Sequence, residues 1–189
     1  MSSDLSIAHS GITEHWLDSA VRCLSPNSNA RPEGCLPELL VIHNISLPPG
    51  QFGGGHVQQF FLNRLDPSTH PYFAEIHQLE VSAHLLIERD GAMTQFVPFD
   101  RRAWHAGVSS YEGREACNDF SIGIELEGAD EVPYSEIQYQ QLAALIGGLI
   151  QRYPTLSKRR MVGHSDIAPG RKTDPGPAFD WASLHRLLL

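Results

Sequence analysis

A chain of 189 residues with 41% hydrophobic and 19% charged side chains has the composition of one globular domain with a substantial core, which excludes a disordered polypeptide. Its formal net charge of -8 argues against a nucleic-acid partner, which needs a basic face, while leaving room for a local Arg/Lys pocket and a small acidic ligand. Cys23, Cys35 and Cys117 are odd in number and lack C-x-x-C spacing, so they read as reduced thiols and neither as a disulfide framework nor as a zinc knuckle.

Residues 1–35 are weakly patterned and punctuated by Pro26, Asn27, Asn29, Pro32 and Gly34; they read as an arm packed on a domain of residues 36–189. The first part of this arm carries Asp4, Glu14 and Asp18 and no apolar stretch, so no signal peptide is expected and the protein reads as cytoplasmic. The longest apolar run, Leu142 to Ile150, has half the length of a membrane span and contains Gly147 and Gly148, so no membrane partner is expected.

Glu38 to Leu47 is nearly continuous apolar with β-branched residues, the mark of a buried central strand. His43 sits near its end, before Pro48-Pro49-Gly50. A glycine-rich loop, Gln51 to Gly55, precedes a short helix from His56 to Leu65 with Val57, Phe60, Phe61 and Leu65 on one side. Asp66 to Ser82 is long, broken by proline and rich in His and aromatic residues, and reads as a flap beside a site.

The segments 84–89 and 92–97 flank Asp90-Gly91, a strong hairpin signal. Trp104-His105-Ala106-Gly107 follows on a loop. Phe120 to Gly128 alternates as a strand, with Ser121, Gly123, Glu125 and Glu127 on one face and Ile122, Ile124 and Leu126 on the other. Ser135-x-x-Gln138 is a capping box that opens a helix with Ile137, Leu142, Leu145, Ile146, Leu149 and Tyr153 on its apolar face, ended by Pro154. Met161-Val162 reads as a strand that stops at His164, and a short helix from Asp180 to Leu188 closes the chain. Interspersed strands and helices predict a single α/β (α+β) domain built on a central mixed β-sheet flanked by helices.

The stretch from Gly163 to Gly176 carries the densest chemistry: His164, Asp166, Arg171, Lys172 and Asp174 on a loop rich in Pro and Gly, expected to be neither helix nor sheet. A zinc hydrolase site needs three His/Asp/Glu/Cys ligands and one open position. His43 and His164, each at the end of an expected strand, supply two. The third is Asp166 or Asp174. Asp166 lies two residues after His164 and is mildly favoured by spacing; Asp174 lies ten residues on, within reach only if the Pro/Gly loop folds back. Spacing does not decide between them. An ionised Glu125 on an otherwise buried strand is costly unless it is paired, with Arg114 for instance, or lies near a metal or a reacting group. Lys172 could equally be a solvated loop lysine, and Trp104-His105 ordinary packing. Gly53 to Gly55 lacks the G-x-x-x-x-G-K pattern of a phosphate loop.

Four blocks, Val41-Ile42-His43-Asn44-Ile45-Ser46, Ala103-Trp104-His105-Ala106-Gly107, Cys117 to Gly128, and Gly163 to Gly176, occur in this order. Together they resemble the N-acetylmuramoyl-L-alanine amidase family of the peptidoglycan-recognition fold, over residues 36–185, and within it the cytoplasmic branch that acts on 1,6-anhydro-muramyl peptides. The resemblance implies a zinc site of His43, His164 and Asp174, which overrides the spacing preference for Asp166. It implies that Glu125 works on the attacking water and that Lys172 stabilises the transition state. Asn44, Trp104 and His105 become candidates for substrate contact. The implied reaction hydrolyses the amide between the 1,6-anhydro-muramyl lactyl group and L-alanine, in peptidoglycan recycling and, through muropeptide levels, in β-lactamase induction. A monomer with a small-molecule muropeptide substrate is expected. The rival readings are a non-catalytic muropeptide-binding module on the same fold and a cytosolic zinc peptidase with no sugar requirement.

Overall fold

The N-terminal segment folds into four short strands: β1 (Ile12–Thr13), β2 (Trp16–Leu17), β3 (Val21–Arg22) and β4 (Ser28–Ala30). The computed structural model describes residues 11–189, so residues 1–10 of the expected arm, Asp4 among them, lie outside the described residues. β1 and β2 pair with each other. Strands of two or three residues show no alternation, and β3 and β4 find their partners far along the chain, so nothing local announces them.

After this segment come β5 (Leu39–Ile45), α1 (His56–Phe61), α2 (Pro71–Ile76), β6 (Leu85–Ile87), β7 (Met93–Gln95), β8 (Arg101–Ala103), β9 (Ser110–Tyr111), β10 (Arg114–Glu115) and a 3-10 turn at Cys117–Asp119. The chain ends with β11 (Ser121–Glu127), α3 (Glu136–Arg152), β12 (Met161–Gly163), α4 (His164–Ile167) and α5 (Trp181–Leu187). Six strands form the central sheet in the order β12-β5-β11-β6-β7-β3. β12, β5, β11 and β6 run parallel, and β7 returns antiparallel to β6, so the sheet is mixed, with helices packed on it, as expected.

The two faces of β11 separate as alternation predicts. Ile122, Ile124 and Leu126 join Leu40 and Ile42 of β5 beneath Leu142, Leu145, Ile146 and Leu149 of α3 in the main core. Each such side chain contributes about 1.5–3 kcal/mol by leaving water, which makes this contact the principal stabilising layer. The capping box of α3 is present, and Gln138 does more than cap: its amide donates to the carbonyls of Ile87 and Glu127, tying the helix start to β6 and β11. Ile137 stands off the buried face at 36% exposure, over the hairpin turn. Gly91 there has φ 86°, and a Cβ on it would lie 2.6 Å from Ile137, so both backbone and neighbour require glycine.

Two segments read as irregular carry helical turns. The expected flap, 66–82, contains a helical turn, α2, with Pro71 at its first position and the His70 imidazole accepting from the Tyr72 N–H; Phe73 is fully buried. The chain after β12 is also helical for one turn, α4. The Asp166 carboxylate accepts from the Gly163 N–H at 2.7 Å, as an N-terminal cap does, and Pro169 stops the turn.

Candidate active site

The polar face of the sheet collects the chemistry. Parallel pairing sets Glu125 of β11 directly beside His43 of β5. Parallel pairing of β12 with β5 brings His164, the next residue, to the same end of the sheet. The loop after α4 then folds back. The Asp174 carbonyl accepts from the Ser165 N–H at 3.0 Å. The Pro175 carbonyl accepts from Asn44 Nδ2 at 3.1 Å and from the Tyr134 hydroxyl at 2.8 Å. Asp130 completes the clamp: its Oδ1 accepts from Asn44 Nδ2 at 2.8 Å, and a Cβ on Gly176 would collide with its backbone.

This clamp puts Asp174 Oδ2 at 3.1 Å from His43 Nδ1 and 3.1 Å from His164 Nδ1, with the two nitrogens 3.0 Å apart. Among the described residues, these three form the group able to hold a metal ion. The donor chemistry fits zinc: ligands about 2.0–2.1 Å from a tetrahedral ion stand roughly 3.3 Å from one another, close to the spacing seen. Tautomers agree. The Ala106 carbonyl can only accept, so His164 Nε2, 3.1 Å away, carries the hydrogen and Nδ1 offers its lone pair to the group. Burial pushes His43 down to about 4, keeping it neutral. Burial alone would raise the Asp174 carboxyl, but its close approach to the His164 and His43 rings outweighs this and holds the group below the usual carboxylate range.

Asp166 takes no part. It is exposed and spent on the Gly163 N–H, which overturns the preference that spacing alone gave it. Glu125 is 8% exposed, and its Oε2 is buried without a hydrogen-bond partner. Burial, and then the Asp174 charge, push its carboxyl well above the ordinary value, opposed by Lys172. The alternative partner Arg114 instead bonds Glu38 and covers the Phe120 ring. Lys172 is exposed on the loop and lines the same cavity as the triad. Its neighbour Arg171 staples that loop to the carbonyls of Ala106 and Val108, at 2.6 and 2.7 Å.

The cavity holds about 450 Å³. His43, Glu125, Lys172 and Asp174 form its polar end, and Phe60, Tyr72, Ile76 and Trp104 an apolar wall from α1, α2 and the loop after β8. The segment 66–82 therefore does flank the site. The three residues named for substrate contact all line this cavity, each already bonded to protein. Asn44 Nδ2 braces the Asp174 loop; Trp104 Nε1 donates to Asn29 Oδ1 at 2.8 Å; the His105 ring lies between His43 and Ser121. Sequence reading missed Asp130 and Tyr134, because their role exists only through the folded-back loop.

A buried His/His/Asp group beside an unpartnered carboxylate and a lysine, at strand ends under an open cavity, is the layout of a metal-assisted hydrolase. The profile of the N-acetylmuramoyl-L-alanine amidase family matches residues 33–177, and the chain belongs to that family. It is 59% identical over 177 residues to the 1,6-anhydro-N-acetylmuramyl-L-alanine amidase AmpD of Citrobacter freundii, covering 94% of each chain. A crystal structure of a selenomethionine AmpD derivative superposes with a TM-score of 0.92 at 59% identity, covering 94% of this chain and 99% of that one. The amidase AmiD of Escherichia coli, in complex with anhydro-N-acetylmuramic acid-L-Ala-D-γ-Glu-L-Lys, superposes with a TM-score of 0.58 at 31% identity, over 84% of this chain and 61% of that one.

Proposed function

We propose that this chain hydrolyses the amide between the lactyl group of 1,6-anhydro-N-acetylmuramic acid and L-alanine, with a zinc ion held by His43, His164 and Asp174. The observation that carries the reading is the meeting of this triad with the unpartnered Glu125 in one cavity. The 59% identity to an amidase of that name, over 94% of the chain, supports the substrate. When bound, zinc supplies Lewis acidity, which makes a water nucleophilic near neutral pH and polarises the amide carbonyl.

The chain's own residues do the rest. Glu125, whose Oε2 has no hydrogen-bond partner, takes a proton from the attacking water and delivers it to the departing nitrogen of L-alanine. The C–N bond breaks, a lactyl carboxylate forms, and the peptide leaves as an amine. Lys172 sets a positive charge toward the developing oxyanion, worth about 3–4 kcal/mol for a well-placed donor. The apolar wall of Phe60, Tyr72, Ile76 and Trp104 seats the bicyclic sugar, and Asn44 lines the same space.

We place the enzyme in the cytoplasm, in peptidoglycan recycling and so upstream of β-lactamase induction, acting as a monomer on small muropeptides with neither nucleic acid nor membrane as partner. No helix among the described residues is long and apolar enough to cross a membrane. The test is to offer the protein a 1,6-anhydro-muramyl tripeptide and the same tripeptide carrying an acetyl cap. The expected result is cleavage of the sugar-bearing compound alone. Binding without cleavage would make the protein a muropeptide-binding module, and equal cleavage of both would make it a peptidase. Lys172→Met is expected to lower kcat by about 10²-fold while KM changes little, since the oxyanion exists only in the transition state.

A further inference from the structure

His105 has both ring nitrogens bonded to protein. Its Nδ1 lies 2.9 Å from His43 Nε2 and its Nε2 lies 3.0 Å from Ser121 Oγ. The two rings meet edge to face, with centroids 5.0 Å apart and planes at 88°. The seat is built for this ring: a Cβ on Gly123 would lie 2.4 Å from His105 Cγ and 2.5 Å from Nδ1, so a side chain at 123 would displace it. From the loop side, the N–H groups of His105 and Ala106 both donate to Asn118 Oδ1, at 3.1 and 2.8 Å. The neighbouring imidazole does not compete. His84 Nδ1 accepts from the Gly123 N–H at 3.0 Å, so its protonated Nε2 faces the Arg101 carbonyl, also at 3.0 Å.

These contacts have one consistent direction. His43 Nδ1 faces His164 and Asp174, and offers a cation its lone pair only if Nε2 carries the hydrogen. A buried N–H needs an acceptor, and His105 Nδ1 is the one within hydrogen-bond distance of His43 Nε2 among the described residues. His105 must then be protonated at Nε2, which donates to Ser121 Oγ. Resting on the reading of His43 as a metal ligand, we propose that His105 is a positioning residue. Through the directed relay from His43 to His105 to Ser121 it fixes the tautomer and ring orientation of His43, and Gly123 is glycine to make room for it. His105 thus serves the metal site from behind the ligand, its nitrogens closed to the sugar or peptide.

The test is zinc affinity, read by competition between the purified holoprotein and a chromophoric chelator, with the melting temperature of each metal-free variant measured in parallel. His105→Leu is expected to weaken zinc binding about 10–100-fold, the usual loss when a ligand's outer partner is removed. His105→Asn places an amide oxygen close to the former Nδ1 and is expected to recover most of that loss. Gly123→Ala is expected to match His105→Leu, and the double variant to lose no more than either, because both break one link. Should Gly123→Ala fail to fold, the Leu and Asn variants carry the comparison alone. Zinc affinity of His105→Leu within about two-fold of wild type, or an Asn variant as weak as Leu, would overturn the proposal. His43→Ala separates the two readings: retained zinc there would remove His43 as a ligand, whereas zinc lost there but kept in His105→Leu would remove only the relay.

Discussion

Glu125→Gln is expected to keep its metal and bind muropeptide normally while its turnover falls by about 10²-fold or more, the usual cost of losing a general base. Gln has nearly the shape of Glu, and β11 holds position 125 through backbone pairing to β5 and β6, so the site keeps its form. An amide cannot take the proton of the attacking water. The same variant is expected to melt higher than wild type at neutral pH when both are metal-free. The sign follows from the raised carboxyl. Between the ordinary value and the raised one, the folded protein holds a proton that the unfolded chain has released, so stability is lost as pH rises through that window. Gln remains neutral throughout and escapes the loss. A gain in stability coupled to a loss of rate marks a functional carboxylate kept at a structural cost. Equal turnover in the two proteins would remove Glu125 from the chemistry, and a lower melting temperature for Gln would mean that the carboxylate has a stabilising partner.

Asp174→Ala is expected to release the metal and reduce turnover to background, while Asp166→Ala keeps the metal. Asp174 is the carboxylate of the triad, and without it two neutral imidazoles are left to face the cation. Asp166 accepts only the Gly163 N–H, so its loss costs about 0.5–1.5 kcal/mol of local stability. Zinc content and melting temperature of both variants decide the point. Metal lost from the Asp166 variant alone would reverse the assignment.

The pair also illustrates what the sequence conveys. β5, β11 and α3 were legible because each is long enough to repeat its own pattern, and their order put His43 and Glu125 on strands and His164 at a strand end. Spacing left Asp174 open beside Asp166, and only the family resemblance singled it out. Its place depends on hydrogen bonds from Ser165, Asn44 and Tyr134, partners that no local spacing encodes. α4 was hidden for a related reason: one turn held by one carboxylate looks like a loop in a stretch full of Pro and Gly. His105 was legible as chemistry but not as geometry. A histidine on a loop beside the site suggests contact with substrate, and only the close approach of Gly123 shows the ring turned toward His43.

The metal dependence of cleavage tests the central claim most directly. The protein is stripped with a chelator, divided, and one part reconstituted with zinc; each is incubated with a 1,6-anhydro-muramyl tripeptide and the products are weighed by mass spectrometry. The account predicts about one zinc per reconstituted chain, two products whose summed mass exceeds the substrate by one water, and an intact substrate with the stripped protein. Undiminished cleavage by the stripped protein, or an intact substrate with the zinc-loaded one, would contradict it.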